Sequence, residues 1–182
     1  SDTSTLGVVN TTHTPFHDGI VAGTFYNAAS RKLILSFKHG RRIALSPLLA
    51  RLIAARLPEL DGDWLFIPVP LHPFRLWKRG FNQAALLARD VARLRRQRLL
   101  VDGLRRRKYT RSLGGLGRQE RERTLANAIV VNPRHSKTID GANVVLIDDV
   151  LTSGATSDSC VGTLKRAGAR TVMVACFARV ST

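Results

Sequence analysis

The chain has 182 residues, 44% of them hydrophobic, which is enough for one domain with a sizeable core. It contains no apolar run near the roughly 18 residues that a membrane-spanning helix needs, and its two cysteines lie in apolar segments, which indicates buried thiols in a reducing cytoplasm rather than a disulfide framework. The formal net charge of +16 favours anionic partners, either phosphorylated small molecules or nucleic acid, although a solvated basic surface explains it equally well.

The N-terminal part of the chain is predicted to hold one strand and two helices. Residues 1–20 are polar and aperiodic, without the segments of a secretory signal, so we expect a poorly ordered segment there and one domain over residues 21–182. Residues 21–26 form the predicted strand, and Ser30 and Ser46 are the predicted caps of the two helices. The predicted inner faces are Leu33, Ile34 and Phe37 in the first helix and Leu48, Leu49, Leu52, Ile53 and Leu57 in the second.

The middle of the chain is predicted to contain a buried strand, a loop and a helix. Residues 64–69 are a continuous apolar run, as expected for a strand buried on both faces. A proline-bearing loop follows, and a helix begins near Phe81. Its predicted inner face is Ala84, Leu87, Ala88, Val91 and Leu94. A short strand is predicted near Leu104, a mobile loop over residues 108–117 and a helix over 118–127.

The C-terminal part is predicted to be strand, helix and strand. Residues 129–131 and 144–147 are predicted strands, residues 154–167 a helix, and residues 171–177 a last strand. Alternating strands and helices predict an α/β fold with a mostly parallel central sheet flanked by helices. Because ligands bind beyond the carboxyl ends of such strands, the loops after Val69 and Ile147 are predicted to lie at the binding edge.

Residues 144–156, VVLIDDVLTSGAT, combine a buried strand with a loop suited to an anion. The loop consists of Thr152, Ser153, Gly154, Ala155 and Thr156, which are small and rich in hydroxyls. At a helix N-terminus their backbone N–H groups converge on one point, so they predict a phosphate site. The spacing of a P-loop is absent, and an ordinary capped connection between strand and helix is the alternative.

Asp148 and Asp149 are predicted to stand at the end of the strand. Since consecutive side chains of a strand diverge, the two carboxylates are not expected to share a proton. They suit the two hydroxyls of a vicinal diol, or Mg²⁺ held through its waters, so no direct metal ligand is predicted. A phosphate site next to two diol acceptors predicts a 5-phosphoribosyl group, whereas a helix cap would explain only one aspartate.

These thirteen residues resemble the signature of type I phosphoribosyltransferases and phosphoribosyl diphosphate synthetases. Residues 26–42, 67–89, 107–123 and 143–179 are in addition similar to the ComF family of competence proteins. The resemblance covers most of residues 21–180 and implies a type I phosphoribosyltransferase-like fold with a flexible hood or loop. Many family members carry a four-cysteine zinc module, for which this chain lacks the cysteines.

The resemblance also implies roles for individual residues. Asp148 and Asp149 would bind the ribose and stabilise the reacting centre, and residues 152–156 would bind the 5′-phosphate. The loop after the first core strand would bind the diphosphate of 5-phosphoribosyl diphosphate with its Mg²⁺. The implied diphosphate-binding residues are Pro70, Leu71, His72, Arg75 and Arg79, and the implied flexible-loop residues are Lys108, Thr110 and Arg118. For the five residues implied to bind the diphosphate, the alternative is a rigid turn followed by the start of a surface helix.

Two functions of different classes follow. The first is a Mg²⁺-dependent phosphoribosyltransferase, a pentosyl-transferring enzyme with an unidentified nucleophile and no evident general base. The second is a non-catalytic phosphoribosyl-binding fold that serves DNA uptake through single-stranded DNA and competence-machinery proteins. Residues 75–123 support the second, because they contain sixteen basic and four acidic residues. A role in nucleotide salvage lacks a recognisable base-binding element.

Overall fold

The computed structural model describes residues 17–39, 43–72, 74, 76–77, 80–107 and 128–180. Its strands are β1 (Gly19–Phe25), β2 (Trp64–Pro68), β3 (Arg98–Leu99), β4 (Leu104–Arg106), β5 (Ile129–Val131), β6 (Asn143–Leu151) and β7 (Thr171–Arg179). Its α-helices are α1 (Ala28–His39), α2 (Ser46–Ala54), α3 (Gln83–Leu94), α4 (Ser136–Ile139) and α5 (Ala155–Arg166), with short 3₁₀ turns at Ile43–Leu45 and Pro133–His135. Within these ranges no helix is both long and apolar enough to cross a bilayer.

Five strands form the central sheet in the order β1-β7-β6-β2-β3, and every neighbouring pair is parallel. β4 and β5 form a separate antiparallel pair. The predicted α/β class with a mostly parallel sheet is therefore confirmed. The predicted strands all appear, and β3 is an additional two-residue strand that pairs with Leu65 and Phe66.

Helices cover both faces of the sheet, which is why β2 and residues 144–147 of β6 are apolar at every position. One hydrophobic cluster lies under α1, α2 and α3 and includes Phe37, Ile53, Leu87, Val145 and Ile147. The other lies under α5 and the β4–β5 pair and includes Leu104, Val144, Leu146, Val161 and Leu164. Side chains of β6 thus alternate between the two clusters, as the pleat of a strand requires.

The two predicted serine caps are wrong. α1 begins at Ala28, and Asn27 and Ser30 satisfy each other: the Ser30 amide donates to Asn27 Oδ1 over 2.9 Å, and the Asn27 amide donates to Ser30 Oγ over 2.8 Å. Ser30 therefore completes a capping box rather than starting the helix. Ser46 lies inside α2, where it is buried and donates to Asp90 Oδ2 over 2.7 Å. The sequence also predicts that the first helix ends at Gly40, a residue outside the described ranges.

The predicted inner faces are correct at most positions. In α2, Leu49 and Ile53 are buried, but Leu48 and Leu52 are 50% and 41% exposed. In α3, Leu94 in the last turn is 48% exposed, whereas Ala84, Leu87, Ala88 and Val91 are buried. The errors arise because each helix contacts the sheet along a narrower stripe than its apolar residues occupy.

The order of the strands locates a crevice. From β2 the chain passes through α3 to β3 at one edge, and from β6 it passes through α5 to β7 on the opposite side. The connections therefore diverge between β2 and β6, the topological switch point at which parallel α/β sheets bind ligands. The loops that follow these two strands border that crevice.

Candidate functional site

The acidic pair lies inside β6 and not, as predicted, beyond its end. β6 pairs with β2 only as far as Ile147, opposite Pro68, but continues beside β7 to Leu151, opposite Arg179. Asp148 and Asp149 thus project past the last residue of β2 while β7 still holds their backbone. The acidic pair is fixed by a strand at the border of the crevice, which is a more rigid support than a loop.

The two carboxylates belong to opposite faces of the sheet. Side chains two positions apart in a strand lie on the same face. Asp148 therefore lies on the face of Val144 and Leu146, in the cluster under α5, and Asp149 lies on the opposite face, under α3. Electrostatics agrees with this placement: burial raises the pKa of the Cys160 thiol in α5, and the Asp148 carboxylate adds to the increase. The predicted divergence of the side chains is therefore present.

Backbone hydrogen bonds orient both carboxylates. The Asp149 amide donates to Asp148 Oδ1 over 2.8 Å, and the Val150 amide donates to Asp149 Oδ1 over 2.9 Å. Asp148 is half-buried and Asp149 is buried. A carboxylate has about four acceptor positions, so an oxygen that accepts one amide retains the capacity to accept a hydroxyl.

The connection from β6 to α5 has the geometry expected of an anion site. Thr152 and Ser153 are exposed, and Gly154 is the N-cap of α5 with a left-handed φ of 76°. This conformation turns the chain sharply from the strand into the helix at a residue without Cβ. The amides of the first turn, from Ala155 onward, point out of the helix end, where they attract anions.

The loop after β2 lies on the other side of the crevice. The Val69 amide donates to the Ile147 carbonyl over 2.8 Å, one residue before the acidic pair. Pro70 is buried, and Leu71 and His72 are half-buried. His72 contributes to the loop itself, since its Nδ1 accepts from the Phe74 amide over 3.2 Å and its carbonyl from the Leu76 amide over 2.9 Å. The remaining predicted diphosphate residues, Arg75 and Arg79, lie outside the described residues.

The flexible-loop residues Lys108, Thr110 and Arg118 also lie outside the described part of the chain. Their segment leaves from β4 and returns at β5, where the Arg107 amide donates to the Ala128 carbonyl over 2.8 Å. The structure thus brings together the acidic pair, residues 152–156 and the loop beginning at Pro70.

Sequence reasoning missed one residue at this site, Asn82. It caps α3 by accepting from the Ala84 amide over 3.0 Å, and its Nδ2 donates to the Val69 carbonyl over 3.1 Å. Asparagine directly before an amphipathic run is a helix-start signal. That signal predicts the cap but not the bond to Val69, thirteen positions away.

The donor set suits magnesium better than a transition metal. Within the described ranges, no group of three or more His, Cys, Asp or Glu side chains converges on one point. The crevice offers carboxylate oxygens from two aspartates, the hard ligands that Mg²⁺ accepts. Because the two carboxylates lie on opposite faces of the sheet, they do not ligate one ion together, so phosphate oxygens of the substrate and water would supply the shell of a bound Mg²⁺.

Curated proteins with related sequences carry names from DNA uptake. Competence protein F of Haemophilus influenzae is 33% identical over 153 residues, which cover 81% of this chain and 66% of that protein. The DNA utilization protein YhgH of Salmonella typhimurium is 31% identical over 166 residues, covering 88% of this chain and 71% of that protein. Competence protein ComFC of Bacillus subtilis is 34% identical over 96 residues, 53% of this chain and 36% of that protein.

This chain spans about two thirds of the length of the first of these relatives. No protein-family model matches it. Among solved structures, a hypoxanthine phosphoribosyltransferase from Staphylococcus aureus has a TM-score of 0.49 and 13% identity, over 76% of this chain and 74% of that one. A glutamine phosphoribosylpyrophosphate amidotransferase from Bacillus subtilis has the same TM-score of 0.49 and 20% identity, over 72% of this chain and 26% of that one.

Proposed function

The chain belongs to the ComF family of competence and DNA utilization proteins, and from that premise we propose that it binds 5-phosphoribosyl diphosphate with Mg²⁺ and transfers the phosphoribosyl group to a nucleophile. The observation that carries the proposal is the continuity of β6 with α5. Two aspartates on opposite faces of one strand are followed, after two residues, by hydroxyl side chains and the N-terminus of a helix. A diol and a phosphate carried by one ribose are what such a short segment can bind together.

Each part of the substrate has a matching part of the crevice. The 5′-phosphate accepts hydrogen bonds from the first-turn amides of α5 and the hydroxyls of residues 152–156. The ribose hydroxyls donate to Asp148 and Asp149. The diphosphate extends towards the loop that begins at Pro70, and bound Mg²⁺ would neutralise part of its charge as it leaves.

The aspartates have a second role during the reaction. The bond between ribose C1 and the diphosphate oxygen breaks with its electron pair remaining on the diphosphate. The nucleophile forms the new bond to C1 and gives up its proton to the departing diphosphate or to water. Positive charge develops on the ribose in an oxocarbenium-like transition state. Two carboxylates held in place by backbone amides stabilise that charge without reorganising.

Calorimetric titration of 5-phosphoribosyl diphosphate, with and without Mg²⁺, tests the site. We expect saturable, Mg²⁺-dependent binding to the wild-type protein and its loss in Asp148→Asn/Asp149→Asn. The matched control is Asp61→Asn/Asp63→Asn, which removes the same charge from a cavity of about 460 Å³ at the amino ends of β2 and β6. A folded wild-type protein that does not bind, or a control that loses binding equally, would contradict the proposal.

Release of diphosphate tests the reaction itself. Once binding of 5-phosphoribosyl diphosphate is established, the members of a panel of amines, bases and phosphorylated acceptors are added one at a time to the complex. The free diphosphate that is released is then measured. Acceptor-dependent release that disappears in Asp148→Asn/Asp149→Asn would support transfer. Binding without release across the panel would instead favour a non-catalytic phosphoribosyl-binding protein.

Single-stranded DNA binding is the second candidate, favoured by an exposed aromatic pair. Trp77 is 82% exposed and Phe74 53% exposed, and their ring centroids lie 6.4 Å apart at 33°. In the sequence each ring is followed by basic residues, Phe74 by Arg75 and Trp77 by Lys78 and Arg79. Exposed rings beside cations match the way proteins stack bases while neutralising phosphates. The names of the relatives, which refer to competence and DNA utilization, point the same way.

The change Trp77→Ala tests this second candidate. We expect the affinity for a fluorescent oligothymidylate to fall by about 1–3 kcal/mol, the contribution of one stacked base, with the melting temperature unchanged because the side chain is exposed. Exposed Leu48, on α2, provides the control Leu48→Ala. Equal affinities for the wild type and Trp77→Ala would exclude stacking at this pair.

A further inference from the structure

The two ends of the loop after β2, Val69 and Asn82, are joined by a hydrogen bond. The loop leaves the sheet at Val69 and returns at Asn82, where α3 begins. Between them the Leu76 amide donates to the His72 carbonyl over 2.9 Å and the Gly80 amide to the Leu76 carbonyl over 2.7 Å. These two bonds give the loop internal helical turns but do not tie it to the sheet.

The side chain of Asn82 links the end of the loop to the end of β2. Its Nδ2 donates to the Val69 carbonyl over 3.1 Å, and the amide of the same Val69 donates to the Ile147 carbonyl over 2.8 Å. Asn82, Val69 and Ile147 therefore form a continuous path from the start of α3 to the residue before Asp148. We call the bond from Asn82 to Val69 the loop clasp.

The loop clasp uses a different part of Asn82 from the helix cap. The side-chain oxygen accepts from the Ala84 amide over 3.0 Å and satisfies α3, while the nitrogen donates to Val69. Capping alone requires an acceptor, which serine or aspartate provides as well as asparagine does. Only asparagine among these three also has an N–H to offer to a carbonyl.

We infer that Asn82 is a positioning residue, which through the loop clasp at Val69 holds residues 70–72, the start of the loop after β2, in place to bind the diphosphate of the substrate. This inference rests on the proposed function. A diphosphate bound by backbone groups requires the loop to be in position before the ligand arrives, because any freedom of the loop is lost on binding. The 5′-phosphate site on α5 does not depend on this loop.

Asn82→Ser separates the two uses of the side chain without altering charge. It keeps an acceptor for α3 and removes the Nδ2 donor to Val69, leaving only a hydroxyl on a shorter side chain. Asn82→Asp keeps the acceptor and, when ionised, has no side-chain donor, but it adds a charge. The matched control is Asn132→Ser. Asn132 is also a cap, accepting from the Arg134 amide over 3.3 Å, and also donates, to Asp102 Oδ2 over 2.8 Å. It thus makes the same pair of bonds away from the loop.

Titration of Mg²⁺ with 5-phosphoribosyl diphosphate, and separately with ribose 5-phosphate, provides the readout. In Asn82→Ser we expect the affinity for the diphosphate ligand to fall about three- to ten-fold, the effect of one lost hydrogen bond, and that for ribose 5-phosphate to stay unchanged. Asn132→Ser should leave both affinities unchanged. Hydrogen exchange without ligand should rise in peptides spanning residues 70–81 of Asn82→Ser alone.

The outcomes distinguish the inference from the function on which it rests. Equal binding of the diphosphate ligand by the wild type and Asn82→Ser, or an equal loss for both ligands, would overturn the positioning role while leaving the proposed function standing. If the wild type binds neither ligand, the proposed function fails and the role of Asn82 in it fails too.

Discussion

Replacing Gly154 by alanine tests the conformation on which the anion site depends. Gly154 has a φ of 76° and connects β6 to α5. A Cβ added there would meet Asp158 Oδ2 at 3.5 Å, an ordinary van der Waals contact. The substitution therefore changes the backbone preference of the residue and not the packing around it.

The expected cost follows from that preference. A residue with a Cβ in the left-handed region is about 1–2 kcal/mol less favourable. For a chain of this length, 1 kcal/mol corresponds to a shift in melting temperature of roughly 2–4 °C. We therefore expect Gly154→Ala to melt roughly 2–8 °C below the wild type and to bind ribose 5-phosphate more weakly.

Gly162, in the same helix, provides a control of opposite sign. It lies inside α5, and the nearest atom to a Cβ there would be Arg166 Nη1 at 3.2 Å, so the end of this long side chain would have to shift by a few tenths of an ångström. Alanine in a helix interior is about 0.5–1 kcal/mol better than glycine, so Gly162→Ala should raise the melting temperature. Differential scanning calorimetry of both variants is the assay. A Gly154→Ala protein as stable as the wild type would refute the reasoning.

Two further predictions concern buried polar groups. In Ser46→Ala the free energy of unfolding at pH 7 should fall by about 1–3 kcal/mol, because the buried Asp90 carboxylate loses a donor. Burial raises the pKa of Asp90, but hydrogen bonds from Arg89 and Ser46 hold it below its ordinary value. The difference in unfolding free energy between the two proteins should therefore narrow in urea titrations as the pH is lowered through the folded-state pKa, below the ordinary aspartate range, and a difference that stays constant with pH would contradict this account. Burial, with Asp148 nearby, raises the pKa of Cys176 to about 12 and raises that of Cys160, so both thiols should resist Ellman's reagent at pH 8 until guanidinium unfolds the protein. Rapid labelling of the native protein would contradict their burial.

The fold was predictable from sequence wherever local pattern decides the outcome. Continuous apolar runs identified β2, β6 and β7 because both faces of these strands are buried. β3 was missed because Arg98 and Leu99 are exposed and only two residues pair. The side-by-side order of the strands has no local signal at all.

The errors at the end of β6 and at Ser46 share one cause. The end of β6 cannot be read from its own residues, since one neighbour stops at Ile147 and the other continues to Leu151. Ser46 is a residue type that often caps helices, yet its hydroxyl donates to Asp90, 44 positions away. In both cases the partner comes from a distant part of the chain, so the sequence around the residue carries no sign of it.

The position of β1 at the edge of the sheet affects how the chain can fold during synthesis. Among the strands that the structure describes, β1 pairs with β7 alone, and Asp18, directly before β1, accepts from the Val172 amide 154 positions later. At about 5–20 residues per second, a ribosome needs roughly 8–30 s to cover that distance. The segment GIVAGTF, which forms β1, is therefore synthesised long before β7, the strand with which it pairs. We therefore expect nascent chains to depend on a holding chaperone until β7 emerges.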